Sequence, residues 1–127
     1  MTRGSTHILK LIDDVAFMPM YLVQSHQHGI KTGRNIVKAT SIVQVQNERV
    51  IVTEWRFAPG AETGAHVHAH DYVVVPLTAG TLKLEEPTGT RSVRLEAGAS
   101  YARPAGVAHN VINDNAYEFR FVEIELI

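Results

Sequence analysis

From Thr40 onward the chain is cut into short runs of Val, Ile, Thr and aromatic residues, each closed by turn residues. No other feature limits the fold as tightly. Ser41 to Gln46 reads as a strand closed by Asn47-Glu48, and Val50 to Ala58 as a second closed by Pro59-Gly60. Ala65 to His70 and Tyr72 to Leu77 follow, up to the turn near Gly80. Thr81 to Glu85 ends at Pro87-Thr88-Gly89, Ser92 to Leu95 at Gly98, and Ser100 to Arg103 at Pro104-Ala105-Gly106. Val107 to Ile112 ends at Asn113-Asp114-Asn115, and Tyr117 to Ile127 closes the chain. Gly, Pro and Asn at these points supply the backbone angles that turns require. Many short strands with regular turns predict an all-β sandwich or barrel. After residue 40 no segment has a strong helical period.

Residues 1–40 have a different texture. Ile8, Leu9, Leu11, Ile12 and Val15 fit one face of a short helix, interrupted by Pro19 and the Gly29 to Gly33 stretch. This reads as an N-terminal extension that packs on the domain or on a partner subunit, with 41–127 as the one domain. A length of 127 residues, 45% of them hydrophobic, supports a single modest core. Twelve Lys and Arg balance thirteen Asp and Glu, which argues against a broad surface for nucleic acid. No apolar run reaches the ~18 residues of a membrane span. Lys10, Asp13 and Asp14 interrupt the first apolar residues, so the start does not read as a secretory signal, and a cytoplasmic location is the expectation. The extension and the apolar strands together predict a homodimer.

Histidine is in surplus and cysteine is absent: seven His and no Cys. Disulfides, thiolate metal sites and a cysteine nucleophile are excluded together. His66 and His68 stand two apart, so on a strand they share a face, roughly 6.6–6.8 Å apart along the chain. Two imidazoles so placed can converge on one ion at about 2.0–2.1 Å each. His109 follows a Pro-x-Gly turn and opens another strand, which suits it as the third ligand. Three imidazoles leave positions for water or substrate, an open site rather than a closed structural one. His70 falls on the same strand face as His66 and His68 by alternation. His26-x-His28 lies in a Gly-rich stretch and, with His7, reads as surface.

These residues fall on two ordered motifs. The first is Gly60, AETGA, His66-Val67-His68 and later Gly80; the second is Gly98, ASYAR, Pro104-Ala105-Gly106, VA, His109, three residues and Asn113. Both resemble the cupin motifs, over roughly residues 50 to 127. The resemblance implies a double-stranded β-helix (a jelly-roll barrel) with the metal held by His66, His68 and His109. Motif one departs at its Glu: positions 72 and 73 hold Tyr72 and Val73. Without that carboxylate the site is similar to the three-His centre of the thiol dioxygenase branch. Tyr72 is then a fourth ligand as phenolate, a hydrogen-bond partner of bound water, or a core aromatic. His70 is a competing fourth ligand, a nearby base or an outer group; in the family a His here often does not bind metal. The segment HDYVVVPLTAGTLKLEEPTG also resembles small single-domain cupins, some of them associated with β-alanine catabolism, a label too unspecific to carry an activity.

Without thiolate ligands the candidate metals are Fe(II), Ni, Zn, Mn or Cu. Open positions on Fe(II) admit a substrate and O2 side by side, the case for a dioxygenase acting on a small polar molecule. Zn or Ni favours Lewis-acid chemistry, as in an isomerase. A non-catalytic binding or sensing module is the alternative, and the missing Glu is in its favour. Arg103 shares strand parity with Tyr101: it either points inward to an anionic substrate, through its planar fork, or is solvated beside the turn. Trp55, Phe57, Phe119 and Phe121 belong to core or interface. Glu54, Arg56, Arg120 and Glu123 read as cross-strand ion pairs on a solvated face.

Overall fold

The computed structural model describes residues 35–127, which form nine strands and no helix. They are β1 (Thr40–Gln46), β2 (Val50–Phe57), β3 (His66–Val67), β4 (Tyr72–Pro76), β5 (Gly80–Glu86), β6 (Gly89–Leu95), β7 (Tyr101–Arg103), β8 (Ala108–Asn113) and β9 (Phe119–Leu126). One sheet runs β1-β2-β9-β4-β7 and the other β3-β8-β5-β6. All neighbouring strands are antiparallel. Two such sheets closing on one interior make the double-stranded β-helix that the motif resemblance implies. The helix expected around Ile8 to Val15, and His7, His26 and His28, lie outside the described residues.

Strand alternation builds the core. Along β5 the residues Gly80, Leu82 and Leu84 turn inward; along β4 it is Tyr72, Val74 and Pro76. They meet Phe57, Ala61, Leu95, Val111, Phe119 and Phe121. Phe57 and Phe121 pack with ring centroids 5.5 Å apart, the tilted geometry that aromatic pairs favour. Gly80 closes motif one because nothing larger fits: a Cβ there would stand 2.7 Å from Asn115 Oδ1 and 2.8 Å from the Tyr117 hydroxyl.

Asn113 ends motif two as a clamp. Its side chain is buried, and its amide donates to the carbonyls of Phe57, Ala58 and Tyr117 at 2.8–3.1 Å. Its Oδ1 accepts from the Asn115 backbone at 3.0 Å and the Asn115 amide at 2.7 Å. One side chain thus ties the end of β2, the end of β8 and the approach to β9. Ala58 and Tyr117 lie outside the strands and Phe57 at the end of one, where the ladder runs out and carbonyls must be satisfied otherwise.

One strand differs from its sequence reading. Ala65 to His70 shrinks to a two-residue strand, His66–Val67, and His70 sits in a bend. Beyond Val67 the backbone still pairs with the turn before β8, through His68 N–H to Val107 O at 2.9 Å and Gly106 N–H to His68 O at 2.8 Å. Past that point the alternation that would have put His70 beside His66 and His68 no longer applies.

Candidate metal centre

The three motif histidines meet at one point. β3 pairs with β8 so that His66 stands opposite His109. His68 follows at the end of β3, and its ring turns in between the two. Nε2 of His68 lies 3.2 Å from Nε2 of His66 and 3.1 Å from Nε2 of His109. The rings meet edge to face, with centroids 4.7–5.0 Å apart.

Hydrogen bonding alone does not satisfy this arrangement. His66 Nδ1 is 2.8 Å from the carbonyl of Gly64 and donates to it, which leaves a bare lone pair on Nε2 of the neutral ring. His68 Nε2 can donate one hydrogen to one neighbour, never to both. Protonation does not relieve the conflict, because burial penalises the charged ring. That penalty pulls the His66 pKa down to about 4, against a smaller opposing effect of the Gly64 carbonyl. Burial lowers His68 and His109 further, with the neighbouring histidines and Arg103 adding to it. Converging lone pairs in a buried pocket fit a cation. Nitrogens bound to one ion at about 2.0–2.1 Å each stand no more than about 4.2 Å apart, and both separations fall inside that limit.

The ring of His66 is oriented from behind. Gly64 has φ of 92°, which suits glycine and turns its carbonyl toward His66 Nδ1. The Gly64 N–H in turn donates to Asn110 Oδ1 at 2.9 Å. The Asn110 amide donates to Glu62 at 2.8 Å and Glu85 at 3.0 Å. Asn110 follows His109 directly, so one dipeptide supplies a ring to the cluster and steadies another. Outer partners of this kind fix the tautomer of a ligand ring.

Around the cluster lies a pocket of about 440 Å³, mouth included, between the two sheets. Its apolar wall is Val74, Leu82, Leu84, Val111 and Phe121. Tyr72, Tyr101, Arg103, Trp55 and Glu123 supply its polar groups. Tyr72 stacks on His68 with centroids 3.8 Å apart. Its hydroxyl is buried without a hydrogen-bond partner, and burial, then the charge of Glu123, pushes its pKa far above the usual range. Tyr72 is therefore a phenol with a proton to donate. Arg103 faces the pocket with Tyr101 and makes no ion pair among the described residues. His70 is half-buried in its bend, with Nε2 buried and unpartnered, outside both the pocket lining and the cluster.

Glu54 forms the expected cross-strand pair with Arg120, at 2.8 Å from Nε, and is also bound by Arg56. The Arg120 and then the Arg56 hydrogen bonds hold its carboxyl below the usual range. Glu54 is itself buried beneath these guanidiniums, and Glu123 does not join that ion-pair cluster. It is buried and faces the pocket, with Oε2 3.8 Å from His68 Nε2. Burial, and then the charge of Glu125, pushes its pKa up to about 8. Along β9 the inward parity runs Phe119, Phe121, Glu123, Glu125, while Val122 and Ile124 face away. Hydrophobicity alone points the second half of this strand the wrong way. The signal that could have found Glu123 is its even spacing from Phe119 and Phe121.

A family model described as a cupin domain matches residues 53–125, more than half of the chain. The chain belongs to the cupin family. The cupin is 65% identical over 89 residues to the beta-alanine degradation protein BauB of Pseudomonas aeruginosa, a match covering 70% of this chain and 94% of that one. A crystal structure of a cupin domain from Bordetella pertussis is 57% identical, with a TM-score of 0.74, over 75% of this chain and 99% of that one. The polyketide cyclase RemF of Streptomyces resistomycificus shares the fold at 19% identity and a TM-score of 0.58, over 72% of this chain and 69% of that one. Family, fold and three-histidine cluster together support a metal-binding cupin. No helix among the described residues is long and apolar enough to cross a membrane.

Proposed function

We propose that this cupin is a metal-dependent enzyme of dioxygenase type, acting on a small polar molecule in the barrel pocket. His66, His68 and His109 are its metal ligands. The observation that carries the reading is the meeting of three neutral Nε2 atoms in a buried pocket. A bound divalent transition metal, Fe, Ni, Zn or Mn, would supply Lewis acidity and, for iron, one-electron chemistry toward O2. The residues do the rest. Val74, Leu82, Leu84 and Phe121 exclude water from one side. Tyr72 holds a proton on a phenol beside His68. Arg103 offers a planar fork to an anionic substrate group, which fits a small carboxylate. His70, in its bend, is at most an outer group. The BauB name belongs to β-alanine degradation; we extend that role to this chain because a small carboxylate suits Arg103.

The test is oxygen uptake by the iron-loaded protein with thiols, diketones and small amino-acid derivatives. Uptake with one class, abolished in His66→Ala and raised in KM by Arg103→Ala, supports the reading. Tight metal binding with no uptake across the panel overturns the oxygenase assignment and leaves a binding or sensing module. A Zn-loaded protein that interconverts isomers without O2 points instead to an isomerase.

A further inference from the structure

The carboxylate that motif one lacks at positions 72 and 73 has a counterpart on β9, the strand paired with β4. Glu123 enters the pocket from β9, where it stands opposite Thr53 of β2 and Val74 of β4. Trp55, also in the pocket wall, is the polar neighbour that favours its charged form, against the larger effect of burial. Its only ion-pair partner among the described residues is His68, at 3.8 Å. A buried carboxylate without a cationic partner is costly, so its place on the pocket wall calls for a compensating group.

Distance decides what that group is. The His66, His68 and His109 ring nitrogens form one compact set, and Glu123 groups with His68 and Glu125 instead. It is near one ligand ring without closing on all three. Glu123 is thus within reach of a group held at the cluster without closing the cluster itself. We propose that Glu123 is the positioning carboxylate of the centre. It accepts a hydrogen bond from the water, or from the substrate hydroxyl or ammonium, that fills the open coordination position, and it does not bind the ion itself. The proposal rests on the metal-dependent reading above.

Co(II) and azide test it in the full-length protein. Wild type and Glu123→Gln are titrated with Co(II), followed by visible absorption, and each cobalt form is then titrated with azide. The amide is isosteric and carries no charge. The expected result is one cobalt per chain in both, with affinity in the variant reduced by no more than about 100-fold. Azide should bind the variant at least about tenfold more tightly, because a bound cation favours the ionised form of Glu123 and the amide removes that negative group from beside the open position. Glu123→Asp, which draws the same carboxylate back by one methylene, should shift azide affinity the same way by less, and it serves where the amide variant does not fold. Unchanged azide affinity in a folded variant reduces Glu123 to a packing role and overturns the proposal. Loss of stoichiometric cobalt from a folded variant makes it a direct ligand and overturns it equally. A wild-type protein that takes up no cobalt defeats the metal-dependent reading itself, and the proposal falls with it.

Discussion

At the scale of single residues, burial sets the charge of the centre. His66, His68 and His109 have folded-state pKa values below the ordinary 6.5, because desolvation penalises the imidazolium. As pH falls through 6.5 the unfolded chain takes up protons that the folded chain refuses until about pH 4 at His66. Stability is therefore full above pH 6.5 and is lost on acidification across that window, by about 3 kcal/mol for His66 alone. Glu123 and Glu125 have the opposite sign. Their pKa values rise from 4.5 to about 8 and about 7, so their contribution is complete below 4.5 and is lost as pH climbs toward 8. Thermal unfolding of the metal-free protein should then show a stability maximum between an acid and an alkaline limb. Glu123→Gln should flatten the alkaline limb and leave the acid limb. An alkaline limb unchanged by that substitution contradicts the account.

At the scale of elements, strands carry rings and side-chain amides hold the irregular segments between them. Asn113 is the plainest case. Asn113→Ala strips partners from the carbonyls of Phe57, Ala58 and Tyr117 and opens a gap in the interior. The buried Phe57 carbonyl left without a partner costs about 1–3 kcal/mol and the gap adds to it, so a loss of roughly 3 kcal/mol in urea unfolding is expected. A loss under about 1 kcal/mol would mean the loop re-pairs with water. The strands themselves were readable from turn residues, since Pro-Gly and Asn clusters interrupt ladder bonding wherever they occur. The clustered rings were readable too, because His-x-His on a strand and a His after Pro-x-Gly fix two faces that can meet. Two features were not. Strand alternation places His70 on the face of His66 and His68, and nothing in the sequence marks the end of β3 at Val67. Its charge places Glu123 on a solvated face with Glu54, Arg56 and Arg120, whereas strand β9 turns it into the pocket. Hydrophobic alternation reports the core and misreads the strand half that lines a functional cavity.

At the scale of the molecule, β1 is an edge. It closes one end of the five-stranded sheet, and Ile42, Val43 and Val45 are exposed on it among the described residues. A long apolar edge strand is a pairing surface that proteins ordinarily cover. We expect a homodimer, and Val45→Lys should weaken it. Light scattering after size exclusion should give twice the chain mass for wild type at micromolar concentration and a shift toward monomer in the variant. A wild-type monomer contradicts the expectation.

The central claim is that three neutral imidazoles are held together for one ion. Its most direct measurement is elemental analysis of the protein as purified, beside the same protein carrying His66→Ala, both confirmed folded by circular dichroism. The account predicts about one divalent transition metal per chain in the wild type and loss of that metal in the variant. A folded wild type with no stoichiometric metal, refusing Fe(II), Co(II), Ni(II) and Zn(II) on reconstitution, would contradict it.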